Sequence, residues 1–321
     1  MKAENDTPTM PYFTNFFPST AIVVTLALLT GCATTEDESA STASTTSDPT
    51  TPATLASGTT ANPATTVQRG GLKIDRSFTS ENQDSRVLHI VLHYTVSNFE
   101  GSLRALTHNS ANPVSSHYLV RDQPVKIYQL VDESQRAWHA GPSYWKGHTH
   151  LNASSIGIEI VNQGLMKTPK GEMFAPYPPA QINAVIALIK DIATRHKVSP
   201  DRIVGHSDIQ PQNKQDPGPL FPWKQLADAG VIGWPNPQMV NDRRLAYKKT
   251  IPNILWFQER LGDYGFHVPH NGEFNIATRN VIAAFQMKYR PSKYDGIPDA
   301  ETAALLEVVN HPDGMRRSGK K

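Results

Sequence analysis

Val87-Leu88-His89-Ile90-Val91-Leu92, followed at once by His93-Tyr94-Thr95, is the stretch from which the architecture can be read. It is a short, β-rich apolar run, the pattern of a buried strand that ends in chemistry-bearing side chains. Downstream, His117-Tyr118-Leu119-Val120 and Val125-Lys126-Ile127-Tyr128-Gln129-Leu130 flank Arg121-Asp122-Gln123-Pro124 and predict a hairpin. Ser155-Ile156-Gly157-Ile158-Glu159-Ile160-Val161 alternates as another strand. Between Gln181 and His196, Ile182, Val185, Ile186, Ile189 and Ile192 recur at helical period. Ser199-Pro200 then leads into a short strand ending at Gly205-His206. Strands interleaved with helices predict an α/β or α+β domain over residues 70–235, ending near Trp234-Pro235.

Beyond it, a Pro-containing connection over 236–252 leads to a small helical unit over 253–312 and a basic tail over 313–321. In that unit Ile254 to Leu261, Thr278 to Gln286 and Thr302 to Leu306 predict three helices, with a Phe-Gln pair and a Gly turn each occurring twice. About 60 residues suffice for such a compact helical domain.

The 321 residues carry 31 Lys and Arg against 29 Asp and Glu, a net charge of +2 that lacks the basic excess of a nucleic-acid binder. A single cysteine excludes an internal disulfide and a four-Cys zinc site, so any zinc must be held by carboxylates and by some of the twelve His. The charge is uneven. Residues 33–66 hold 12 Thr, 5 Ser and 7 Ala with no aromatic residue, the composition of a disordered tether, here read over 32–69. With six acids and one Lys ahead of residue 67, the remainder keeps 30 basic and 23 acidic residues, a body of +7.

The apolar run over 20–30 is shorter than the ~20 residues needed to span a bilayer and fits the core of a signal peptide over 1–31. Leu29-Thr30-Gly31-Cys32 resembles a bacterial lipobox, which implies lipidation of Cys32, and Ala33 after it favours sorting to the outer membrane. Lys2 opposed by Glu4 and Asp6 makes a weak basic flank for that segment.

Three segments hold the chemistry: His93-Tyr94-Thr95, Gly157 to Asn162, and the polar loop Gly205 to Pro219. A zinc hydrolase needs three protein ligands with one position open for water, and a carboxylate outside the ligand set to move the proton. His93, His206 and Asp216 can fill the ligand positions, Glu159 can serve as the base, and Lys214 can neutralise an oxyanion. Each also has an ordinary structural role open to it, Glu159 as a surface strand residue and Lys214 as a solvated loop cation. His139 either contacts substrate in the cleft or satisfies loop backbone groups. His117 reads as scaffold, and His148 and His150 as solvated loop residues.

The motifs His93-Tyr94-Thr95, Val114 to Val120, Ala137-Trp138-His139-Ala140-Gly141, Ser155 to Glu159 and the His206 to Gly218 loop resemble, in order, those of the zinc-dependent N-acetylmuramoyl-L-alanine amidases, a family that also contains peptidoglycan-recognition proteins. The likeness is to its outer-membrane lipoprotein branch. It implies a mixed central sheet flanked by helices, Zn2+ on His93, His206 and Asp216, catalysis by Glu159 and Lys214, and a substrate contact from His139. Where other branches place a catalytic Tyr this chain has Ser116, which leaves the proton work to Glu159. Phe257-Gln258, Tyr264-Gly265, Asn271-Gly272, Phe285-Gln286 and Asp295-Gly296 resemble a three-helix peptidoglycan-binding domain. The implied partners are peptidoglycan or muropeptides and, through Cys32, a membrane facing the periplasm, with no nucleic acid. A peptidoglycan-binding protein without catalysis, and a zinc peptidase acting on the stem peptide, are the two rival readings.

Overall fold

The computed structural model describes residues 66–316. The signal segment, Cys32 and the expected tether up to residue 65 lie outside the described residues, as do 317–321. Two units divide the chain, and the larger starts at Asp84. In the smaller, β1 (Thr66–Arg69) and β2 (Leu72–Asp75) form an antiparallel hairpin that turns through Gly70 and Gly71, both at positive φ. Leu72, Ile74 and Phe78 are exposed, so this stretch contributes no core.

The larger unit opens with β3 (His89–Tyr94) and α1 (Phe99–Thr107), whose first turn is capped by Asn98 Oδ1 accepting from Gly101 N at 2.9 Å. There follow β4 (Tyr118–Arg121) and β5 (Lys126–Gln129), the short ribbon β6 (Tyr144–Trp145) and β7 (His148–Thr149), then β8 (Ser155–Ile160). The hairpin β9 (Leu165–Thr168) and β10 (Gly171–Phe174) leads to α2 (Pro179–His196), β11 (Ile203–Gly205), α3 (His206–Ile209) and α4 (Trp223–Asp228). The central sheet runs β11-β3-β8-β4-β5, parallel except for β5, so the fold is mixed α/β as expected.

Strand alternation assigns each face its cover. Ile90 and Leu92 of β3 join Ile156, Ile158 and Ile160 of β8 beneath Ile182, Val185, Ile189 and Ile192 of α2 in one core. Val91 and Val204 point the other way, into a second core with Trp145, Leu151 and Ile209 that continues into the C-terminal helices. Burial on both faces is why β3 reads as a continuous apolar run.

The C-terminal part comprises β12 (Trp234–Pro235), α5 (Pro237–Tyr247), α6 (Ile254–Tyr264), α7 (Ile276–Tyr289), α8 (Ala300–Asn310) and β13 (Met315–Arg316). The stretch 236–252, expected as a linker, is mostly α5, capped by Asn236 and packed on α8, where Tyr247 Oη donates to Glu307 at 2.6 Å. None of its residues is fully buried, so its sequence lacks the apolar stripe that would reveal a helix. The expected three-helix unit thus has a fourth helix against it, and the start of the basic tail pairs as β13 with β12. From Asp84 on, the chain forms one compact unit.

The duplicated Phe-Gln motif has a structural meaning. Phe257 and Phe285 are core residues, and the neighbouring glutamines are also buried. Gln258 accepts from Asn271 N and Gly272 N while its amide donates to Thr278 Oγ1 at 2.8 Å. Gln286 accepts from Gly296 N and donates to Thr302 Oγ1 at 2.9 Å. Each glutamine therefore fastens a Gly turn (Gly272 and Gly296, both at φ 73°) to the N-terminus of the next helix.

Candidate metal centre

Parallel strands deliver the first parts of the site. His93 lies opposite Glu159 in the β3–β8 register, and Gly205 lies opposite Leu92 in β11–β3, so His206, which opens α3, comes up beside His93. Three neighbouring strands therefore present their side chains at their C-terminal ends, the usual location of a site on a parallel sheet. The loop after α3 returns Asp216 to this point: its carbonyl accepts from Ser207 N at 2.8 Å, and Tyr177 Oη donates to Pro217 O at 2.8 Å.

His93 Nδ1 and His206 Nδ1 are 2.9 Å apart, and Asp216 Oδ2 is 2.9 Å from the first and 3.1 Å from the second. All three residues are buried. Two imidazole nitrogens and one carboxylate oxygen converging on one point are a donor set that suits a divalent metal of the zinc type. The protonation states agree with this. Burial, reinforced by His206, lowers the His93 pKa to about 4, leaving a neutral ring with a free lone pair. Burial alone would raise the Asp216 carboxyl, but His206 and His93 hold it far below the usual carboxylate range.

Glu159 and Lys214 line the same cleft, of about 540 Å³, with Trp138, Val96, Val114 and Leu165 on its walls. Glu159 Oε2 is buried without a hydrogen-bond partner among the described residues. Burial, and then the charge of Asp216, raise its pKa well above the carboxylate norm, against the opposing influence of Lys214. Lys214 itself is exposed at the rim.

His139 reaches the cleft floor, yet both of its ring nitrogens face protein: Nδ1 is 3.1 Å from His93 Nε2 and Nε2 is 3.2 Å from Ser155 Oγ. His117 is buried scaffold, its Nδ1 accepting from Gly157 N at 3.0 Å. Trp145 packs in the second core, His150 is exposed, and Ser116 is buried behind the wall. Sequence reading passes over Ser155, Tyr177 and Asp208. Only the placement of Asp208 two residues after His206 hinted at a role for any of them.

A profile of the N-acetylmuramoyl-L-alanine amidases matches residues 83–219, and one of a peptidoglycan binding domain matches 250–306. N-acetylmuramoyl-L-alanine amidase AmiD of Escherichia coli (strain K12) is 43% identical over 250 residues, which cover 76% of this chain and 89% of that protein. The chain belongs to the N-acetylmuramoyl-L-alanine amidase family. The structure of E. coli AmiD in complex with its substrate anhydro-N-acetylmuramic acid-L-Ala-D-γ-Glu-L-Lys superposes with a TM-score of 0.70 at 41% identity, covering 78% of this amidase and 99% of that chain. AmpDh3 from Pseudomonas aeruginosa follows the same fold with a TM-score of 0.69 at 37% identity, covering 74% of this chain and 98% of its own. The amidase AmpD of Enterobacter cloacae matches a shorter part, 38% identical over 101 residues and about half (49%) of its length.

Proposed function

We propose that this amidase works with zinc held by His93, His206 and Asp216, and hydrolyses the amide between the lactyl group of N-acetylmuramic acid and the L-alanine of the stem peptide. The observation that carries this reading is the buried triangle of two Nδ1 atoms and Asp216 Oδ2 opening into the cleft that Glu159 and Lys214 line. Zinc at that point supplies Lewis acidity at the scissile carbonyl and makes water a stronger acid. Glu159 accepts the proton of the attacking water and returns it to the leaving amine as the C–N bond breaks. Its raised pKa favours keeping that proton until the amine leaves. Lys214 offsets the negative charge that develops on the carbonyl oxygen.

Because E. coli AmiD and P. aeruginosa AmpDh3 are seen with anhydromuramyl peptides, we extend the proposal to anhydro-muropeptides as substrates. Incubation with purified muropeptides is expected to release intact stem peptide and lactyl-bearing glycan by mass spectrometry. Shortened peptides still joined to sugar would make it a stem-peptide peptidase instead. Glu159→Gln is expected to lower kcat by roughly 10²- to 10⁴-fold with zinc content unchanged. Full turnover in that variant removes the assigned role.

The same proposal places the enzyme at the outer membrane, facing the periplasm, through a lipid on Cys32, with the C-terminal helices adding a weak hold on the wall polymer. Its support is Leu29-Thr30-Gly31-Cys32 after the apolar run. Among the described residues, no helix is long and apolar enough to cross a membrane. Radiolabelled fatty acid should enter the wild type and not Cys32→Ala. An unlabelled wild type ends the anchor and leaves the zinc chemistry standing.

A further inference from the structure

Lys288 and Asp208 form a buried ion pair at 2.9 Å, with side chains 5% and 1% exposed, that the proposed chemistry does not use. Asp208 belongs to α3, two residues beyond His206, and its Oδ2 also accepts from Gly205 N at 2.9 Å. That carboxylate thus pins the junction from which the His206 ring departs. The same junction supports Asp216. Its carbonyl accepts from Ser207 N, and a Cβ at Gly205 would come within 2.6 Å of Pro217 Cδ.

Lys288 comes from a distant part of the sequence, on α7 of the C-terminal helices. Its Nζ stands 4.3 Å over the Trp223 ring and 3.5 Å from Ile203 O. Three separate elements, β11, α3 and α4, therefore meet at one ammonium supplied by the part of the chain that the sequence marks as a wall-binding module. A buried carboxylate keeps its place only while its charge is matched. Without Lys288 it must find water or another partner, and the Gly205–Asp208 turn must move with it.

We infer that Lys288 is a positioning residue for the metal centre, acting through Asp208 to fix His206 and Asp216, and that the C-terminal helices thereby complete the catalytic site rather than only tether it. The inference rests on the His93, His206, Asp216 cluster being a metal site.

The test is metal affinity of the full chain by chelator competition, together with the absorption spectrum of the cobalt-substituted protein. Wild type should bind one ion, and a wild type that binds none removes the premise. Lys288→Met is expected to weaken binding by roughly 10- to 100-fold, the cost of losing an outer-shell support, and to shift the cobalt bands. Lys288→Arg should recover most of that affinity. Tyr289→Phe breaks the 2.6 Å Tyr264–Tyr289 hydroxyl bond of the same C-terminal helices and serves as the control for general loosening, with metal affinity unchanged. Wild-type affinity and spectrum in folded Lys288→Met overturn the inference, as does an equal loss in Tyr289→Phe. Should Lys288→Met fail to fold, the neutral pair Lys288→Gln with Asp208→Asn decides: weakened binding supports the coupling, and unchanged binding ends it.

Discussion

His93 can turn its Nδ1 lone pair to a metal only while its proton sits on Nε2. The structure supplies a chain that holds it there: His93 Nε2–H donates to His139 Nδ1, His139 Nε2–H donates to Ser155 Oγ, and Ser155 Oγ–H donates to Leu151 O at 2.6 Å. With the last acceptor fixed as a carbonyl, every proton in the chain has one direction. Gly157 makes room for it, since a Cβ there would stand 2.5 Å from the His139 ring. His139→Phe is therefore expected to weaken metal binding by roughly tenfold or more, with Gly157→Ala acting in the same direction. Unaltered chelator-competition affinity in both variants would sink this account. Of the candidate site, the residues that share one cleft were legible as reactive side-chain types, His93, Glu159 and His206 at or next to strand ends and Lys214 and Asp216 in a polar loop. The supports were not. Ser155 reads as an ordinary strand residue, and nothing in the chain near Lys288 points to an aspartate 80 positions away.

At the scale of elements, the apolar run of β3 and the periodicity of α2 were readable because β3 is buried on both faces and α2 lays one apolar stripe on the sheet. Helix α5 was not, because it lies on the surface of α8 without burying any residue fully. The Phe-Gln repeats were visible as a pattern, but their purpose emerges only from the contacts. Gln286 satisfies Gly296 N, Ile297 O and Thr302 Oγ1 at once, inside a helical core. Gln286→Leu would fill the same space and leave those groups unpaired, at a cost of about 1–3 kcal/mol for each that stays dry. A loss of about 3 kcal/mol in urea unfolding is expected, with Gln258→Leu similar. A loss below about 0.5 kcal/mol would show that water replaces the amide.

At the scale of the whole molecule, the second core decides what can be removed. Trp145 meets Tyr264 and Phe266 edge-on, and Lys146 N donates to Gly265 O at 3.0 Å. A fragment ending at residue 235 would uncover this face and strand Asp208 without its lysine. It is expected to aggregate or to melt well below the full chain, whereas a soluble fragment with full metal affinity would count against the shared core. The same body collects buried imidazoles on one side of the sheet, and these set its response to acid. His89, fully buried on β3, has its pKa lowered to about 4, first by burial and then by Arg202 and His148. Its folded-state pKa lies below the unfolded value of about 6.5, so the neutral ring belongs to the fold. Its contribution is complete above pH ~6.5 and is lost as pH falls toward 4, because there the unfolded chain takes up a proton that the folded chain refuses. The span corresponds to roughly 3 kcal/mol. Urea titrations from pH 7 to 4 on metal-free protein should show stability falling through this window, with a shallower fall in His89→Leu. An identical slope in the variant would transfer the acid sensitivity to His93, His117 and His139, whose pKa values burial also lowers.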